Sequence, residues 1–260
     1  MLSHNRQKYI NSLKLKKYRQ QHGAFIVEGE KCVTELLNSN METICVYAIG
    51  EWIERNASSI HNKKTEIQEI TENELKKISD LSTPNQVIAV AKMPNEQLSI
   101  DTSQMILALD NIKDPGNLGT MARTADWFGI TQIICSQNSV DFYNPKTIQA
   151  TMGSFSRINI KYTNLDEFFS KNKDIPVYGA LLEGPSLANT KFLRSGIILI
   201  GNESHGISRN LIDFVNTPIH IPHFTSNSSQ TLAESLNASI ANAIICYEIC
   251  KQLNENKVFK

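Results

Sequence analysis

Three separated segments constrain this chain more than any other feature. They are DNIKDPGNLGTMARTADWFGI (Asp110 to Ile130), IILIGNESHGI (Ile197 to Ile207) and IHIPHFTSNSSQTLAESLNASIANAI (Ile219 to Ile244). Each runs from an apolar stretch into a polar turn, and the first and third continue into a helix. Strands that are apolar throughout belong to parallel sheets covered on both faces. Each segment also sets Asn, Arg, Glu or Ser where its apolar stretch ends. That is where open α/β sheets bind ligands.

The rest of the carboxy-terminal sequence repeats the alternation. The strand MILALD is followed by helix Asn117–Phe128, strand TQIICS, helix Pro145–Met152, strand RINIKYT, helix Leu165–Lys171 and strands VYGAL and GIILIG. Helix Arg209–Phe214, strand IHIP and a long helix Ala233–Leu253 complete it. The first 94 residues read as a smaller α/β unit. A basic helix over residues 1–20 leads into strand GAFIVEG and a helix from Glu30 to Asn38. Strand ETICVYAIG, a short helix EWIERNASSIHN and strand TEIQEIT follow. Thr71 to Ser79 forms a helix with Thr71 and Glu74 spaced as a capping box, and QVIAVAKMP is the last strand. The expected organisation is a small amino-terminal α/β domain over 1–96, a linker over 97–103, and a parallel-sheet domain over 104–260.

Lys+Arg and Asp+Glu are both 26, so the formal charge is zero. That argues against a strongly basic nucleic-acid binder, but the neutrality hides an asymmetry. Residues 1–31 hold Arg6, Lys8, Lys14, Lys16, Lys17, Arg19 and Lys31 against Glu28 and Glu30, a local balance of +5. Such a face can hold phosphates or simply be solvated. The five cysteines are scattered and odd in number, which fits buried thiols in a reducing compartment rather than a disulfide framework. Cys246 and Cys250, four apart on a helix, lack the further ligands zinc needs. His220 and His223, three apart in an extended segment, point to opposite faces. No metal site is expected. No signal peptide or apolar run of membrane-spanning length appears, so a cytoplasmic protein without a membrane partner is expected.

The glycine fingerprint of dinucleotide sites is missing, since DPGNLGT holds only Gly116 and Gly119, and there is no P-loop. What remains is a sheet-end site with Asn117, Arg123, Glu203, Ser235 and Asn237. Asn-Leu-Gly-x-x-x-Arg-Thr-Ala, Gly-Asn-Glu-x-x-Gly-Ile-Ser and Ile-Pro followed by Glu-Ser-Leu-Asn-Ala-Ser resemble, in order, the three motifs of the SpoU/TrmH family. These are knotted SPOUT-superfamily RNA ribose methyltransferases. KLKKYRQQHGAFIVEGEKCVTELL is similar to that family's ribosomal-protein-like substrate-binding domain.

The resemblance implies methyl transfer from S-adenosylmethionine to a ribose 2′-hydroxyl. It also implies a deep trefoil knot, and a homodimer whose active site combines both subunits. Ribosomal RNA is expected ahead of transfer RNA, because of the amino-terminal domain. The alternatives are a transfer-RNA 2′-O-methyltransferase, a base-directed relative, a small-molecule methyltransferase, and an inactive RNA-binding protein that keeps the fold. Arg123 argues against the base-directed reading. Arg123 and Asn237 together argue against inactivity.

Carried over by motif position, the catalytic residues are Arg123, Asn117, Glu203, Ser235 and Asn237. Arg123 is described either as the base that activates the hydroxyl or as the cation that holds the phosphate and steadies the alkoxide. A guanidinium, always protonated, suits the second role. Asn117 also reads as a helix cap. The cofactor contacts fall on Gly201, Asn202, Gly206, Ile221 and Leu236. Gly201 and Gly206 have their own rationale in close backbone approach and positive φ. Two departures from the family pattern stand out: Ser204 replaces a small Gly-like residue, and the glycine-free loop of residues 223–234 is longer than usual.

Overall fold

The computed structural model describes residues 1–57, 60, 65–94, 99–223 and 233–258. The chain divides into two compact units, 1–96 with 141–157, and 97–140 with 158–260.

In the first unit, helices α1 (His4–Ser12) and α2 (Lys16–His22) lead into β1 (Ala24–Glu28) and α3 (Glu30–Asn38). They are followed by β2 (Thr43–Ala48), α4 (Gly50–Arg55), β3 (Glu66–Glu69), α5 (Glu72–Lys76) and β4 (Val87–Lys92). The sheet order is β1-β4-β2-β3, antiparallel except for the β2–β3 pair. Thr71 and Glu74 form the expected capping box on α5. The expected single helix over residues 1–20 is instead two helices broken at Leu13–Leu15. Buried Arg19 explains the break. Its Nη1 donates to the carbonyls of Leu13 and Lys14, both at 2.9 Å, satisfying acceptors freed where α1 ends.

In the second unit, β5 (Met105–Leu109), α6 (Pro115–Trp127) and β6 (Gln132–Ser136) come first. After β6 the chain supplies α7 (Pro145–Thr151), which belongs to the first unit: Ile148 is buried and accepts from the Cys32 thiol, and Phe25 packs on Tyr143 and Phe155. Back in the second unit are β7 (Asn159–Thr163), α8 (Leu165–Lys171), β8 (Val177–Ala180), β9 (Gly196–Ile200), α9 (Arg209–Ile212), β10 (Thr217–Ile219) and α10 (Ala238–Val258). The six strands are all parallel, in the order β10-β8-β9-β5-β6-β7. β5 and β9 are buried along their whole length. Strand order runs outward in both directions from the β5–β9 pair, so their carboxyl ends frame a crevice at the switch point.

Two helix starts are shifted from the sequence reading for one reason. α6 starts at Pro115 rather than Asn117 because the Asp114 carboxylate caps it, accepting from the Asn117 N–H at 2.7 Å, with Pro at the first helical position. α10 starts at Ala238 rather than Ala233 because the Asn237 amide oxygen accepts from the Ser239 N–H at 2.9 Å and its hydroxyl at 2.7 Å. α10 lies on α6, with buried Asn242 donating to the Met121 carbonyl at 3.4 Å and Cys250 donating to the Phe128 carbonyl at 3.3 Å. Among the described residues, no helix is long and apolar enough to cross a membrane.

Candidate active site

Three of the five catalytic candidates meet at the carboxyl end of the sheet. The Asn117 amide, in the first turn of α6, donates to Glu203 Oε1 at 2.5 Å. Its amide oxygen accepts from Asn237 Nδ2 at 3.1 Å. Because Asp114 caps the helix, the Asn117 side chain is released from that duty and is available to the site. One residue from each of the three sequence motifs thus joins a single hydrogen-bonded line, Glu203–Asn117–Asn237.

Arg123 and Ser235 do not join it. Arg123 lies six residues further along α6, about 240° round the helix from Asn117 and about 9 Å up its axis. Its side chain is exposed. One turn beyond it, Trp127 is 83% exposed. Ser235 is exposed in the stretch that precedes α10.

The turn after β9 is closed by its own backbone. The Asn202 N–H donates to the Gly206 carbonyl at 2.9 Å and the Gly206 N–H to the Asn202 carbonyl at 2.8 Å. The two glycines serve it differently. Gly206 has φ +67°, the left-handed region that favours glycine. Gly201 is needed for space: a Cβ there would lie 2.1 Å from the Gly206 carbonyl carbon and 2.2 Å from the Ile207 nitrogen.

Asn202 holds the turn from inside. Its Nδ2 donates to the Asn111 carbonyl at 2.9 Å and, more weakly, to Glu203 Oε2 at 3.4 Å. Its Oδ1 accepts from the N–H groups of Ser204 at 2.9 Å and His205 at 3.2 Å. Its side chain therefore shapes the turn, and any ligand contact from this position falls to the backbone. Ile221 follows β10 and is half-buried, while Leu236 is exposed. Of the long loop 223–234, residues 224–232 lie outside the described residues.

Sequence reasoning missed the residues that hold these turns. Asp110, 3% exposed at the end of β5, accepts from the Ser208 N–H at 2.8 Å and so ties the β9 turn to β5. Asn111 sits at φ +58° and presents its carbonyl to Asn202. The Asp-Pro pair ahead of Gly-Asn was a readable signal for Asp114 as the cap. Asp110 and Asn111 carry no such signal, because their partners lie 98 and 91 residues away.

These groups set two amides and a carboxylate beside a tight glycine turn whose own backbone N–H groups close it. Among the described residues, no cluster of three metal-ligating side chains occurs. The arrangement can hold a polyhydroxylated or nucleoside ligand by hydrogen bonds and position it against a second reactant.

Comparison with known proteins gives the family of the chain. Residues 104–247 match the SpoU rRNA Methylase family, and residues 4–89 match the MRM3-like substrate binding domain. The chain is 31% identical to the 23S rRNA (guanosine(2553)-2'-O)-methyltransferase RlmP of Bacillus subtilis over 243 residues, covering 91% of this chain and 92% of that protein. A TrmH-family structure from Porphyromonas gingivalis superposes with a TM-score of 0.85 at 34% identity, over 96% of this chain and 98% of that one. An AdoMet-bound rRNA methyltransferase from Sinorhizobium meliloti superposes at 0.83 and 26% identity, covering 97% of each chain.

Proposed function

We propose a reaction for this chain from one premise: it belongs to the SpoU rRNA methylase family. The reaction is transfer of a methyl group from S-adenosylmethionine to a ribose 2′-hydroxyl of ribosomal RNA. The observation that carries it is the Glu203–Asn117–Asn237 line beside the glycine turn after β9, built from all three motifs.

The Gly201–Gly206 turn fits the cofactor, because Gly201 lets the turn fold tightly on its own backbone and Asn202 fixes its shape. Backbone groups at Gly201, Gly206, Ile221 and Leu236 would hold it. Bound S-adenosylmethionine supplies a methyl already activated by its sulfonium, so positioning is the main demand on the protein. Asn117, Glu203 and Asn237 orient the ribose by hydrogen bonds. Ser235, exposed ahead of α10, adds a hydroxyl beside Asn237. Arg123 holds the phosphate next to the reacting ribose and stabilises the alkoxide as it develops.

Arg123 lies apart from the line within one chain, which fits a site completed by a second copy. α10 turns Ile240, Ile244 and Tyr247, spaced on one face, outward, and Leu236 precedes them. Phe128, at the end of α6, stacks edge-on to Tyr247 at 6.4 Å, which brings exposed Trp127 to the same apolar face. So large an apolar face marks an interface, and the proposed occupant is a second copy of this chain. Arg123, one turn from Trp127, stands at its edge. Family membership also supports the trefoil knot, with the six-stranded parallel sheet as its frame.

Ribosomal RNA is favoured over transfer RNA by the match over residues 4–89 and by RlmP, which acts on 23S rRNA. The retained Asn117, Arg123, Glu203 and Asn237 support an active enzyme rather than a silent RNA-binding protein. Free, mostly buried thiols support a reducing, cytoplasmic setting. The test is Arg123→Ala. It should abolish methyl transfer while S-adenosylmethionine binding stays near wild type. Equal loss of both would refute the role given to Arg123.

A further inference from the structure

A neutral chain that acts on RNA must concentrate its phosphate contacts locally, and the ion pairs of the first unit show which cations remain for that task. Arg19 is 2% exposed and bound to Asp141 at 2.5 Å. Arg6 pairs with Glu66 at 2.6 Å, Lys14 with Asp80 at 2.7 Å and Lys31 with Glu35 at 2.6 Å. The basic face counted from sequence is thereby cut from seven residues to three. Lys8, Lys16 and Lys17 are exposed and make no ion pair among the described residues. All three sit on α1 and α2.

The same two helices carry a ring cluster. His22 packs between two tyrosines, edge-on to Tyr9 at 5.1 Å and nearly parallel to Tyr18 at 6.5 Å with an interplanar angle of 20°. The Lys17 ammonium lies 5.9 Å from the Tyr18 ring centroid. Tyr9 is anchored by packing on the core around Ile10 and Leu13, whereas His22 is exposed and Tyr18 half-buried. Aromatic faces beside unpaired cations are the means by which proteins hold unstacked RNA bases, the ring taking the base and the cation its phosphate.

We propose that Tyr18 and His22, with Lys17 and the neighbouring Lys8 and Lys16, form a stacking site for an unpaired nucleotide of the RNA substrate. The inference rests on the reading of this chain as an RNA methyltransferase and gives its amino-terminal unit a specific contact. The site recognises RNA through residues other than those that act on the ribose, so its loss weakens capture of the RNA without slowing the chemistry.

The test uses the full-length protein and ribosomal RNA purified from cells lacking it, with binding and methyl transfer followed in parallel. Tyr18→Ala should weaken RNA binding about 10-fold or more, raise KM for RNA in proportion and leave kcat unchanged. Tyr18→Phe should bind like wild type, since the ring is kept. Lys17→Ala, a surface change without risk to folding, should lower the slope of log affinity against log salt by about 0.7. Affinity for S-adenosylmethionine should be unaltered in each. Wild-type KM and salt slope in both Tyr18→Ala and Lys17→Ala would overturn the site. A fall in kcat at saturating RNA, with KM unchanged, would also overturn it. RNA binding by wild type without any methyl transfer would refute the proposed reaction and leave the stacking site standing.

Discussion

Gly201→Ala tests whether the turn after β9 is built for close approach. The added Cβ would meet backbone 2.1 Å away, and ordinary contact begins near 3.4 Å, so the turn must withdraw by about 1.3 Å. The hydrogen bonds that close it, at 2.9 and 2.8 Å, do not survive such a shift. Two lost backbone hydrogen bonds are worth about 1–3 kcal/mol, and forcing a carbon into a filled space costs about 1–3 kcal/mol. The two costs overlap in part, because the shift that breaks the bonds also relieves some of the crowding, so the net is about 2–4 kcal/mol. If the altered turn stays closed, the loss appears as stability, a fall in Tm of about 2–4 °C per kcal/mol for a chain of this size. If it opens, the cofactor must close it, and affinity drops about 30- to 1000-fold. Calorimetric titration with S-adenosylmethionine and a thermal melt measure the two together. Gly206→Ala is the control: no atom lies within 4 Å of its Cβ position, but its φ of +67° costs about 1–2 kcal/mol. Wild-type Tm and wild-type affinity in Gly201→Ala would refute the reasoning, because no flexible side chain is there to yield.

Other changes probe other parts of the account. Arg19→Ala leaves Asp141 and two helix-end carbonyls without their partner, and denaturant unfolding should show a loss of about 3–5 kcal/mol. Glu35 is held below the ordinary carboxylate range, first by its hydrogen bond from Lys31 and then by Arg157. A lowered folded-state pKa stabilises above the unfolded value, 4.5, and that contribution fades as pH falls below it. Glu35→Gln should therefore be less stable than wild type at pH 7, with the gap closing below about pH 4. Ile244→Glu places a charge in the proposed dimer face, and light scattering should find monomers where wild type gives dimers. A monomeric wild type would remove that interface from the proposal.

Much of the fold was legible because its strands are apolar from end to end. β5 and β9 are buried at every position, so their sequences could not be mistaken for surface. α3 and α8 matched to the residue, each opened by acidic residues in its first turn. The errors fell where a side chain, rather than a pattern, decides. Asp114 and Asn237 cap their helices through hydrogen bonds that periodicity does not register. The basic helix over residues 1–20 hid Arg19, whose burial depends on a carboxylate 122 residues away. The same distance problem concealed where α7 packs: the helix was read from sequence, but its packing belongs to β1 and not to the neighbouring β6. At the site, motif order brought Asn117, Glu203 and Asn237 together correctly. The six-residue spacing along α6 already turned Arg123 about 240° from Asn117, but motif order alone grouped it with the others.

The most direct measurement is transfer of labelled methyl from S-adenosylmethionine to total RNA from cells lacking this protein, followed by alkaline and nuclease mapping. Ribose methylation blocks alkaline cleavage, so the account predicts label in an alkali-resistant dinucleotide derived from ribosomal RNA. Label recovered in alkali-sensitive mononucleotides would place the methyl on a base and contradict the central claim.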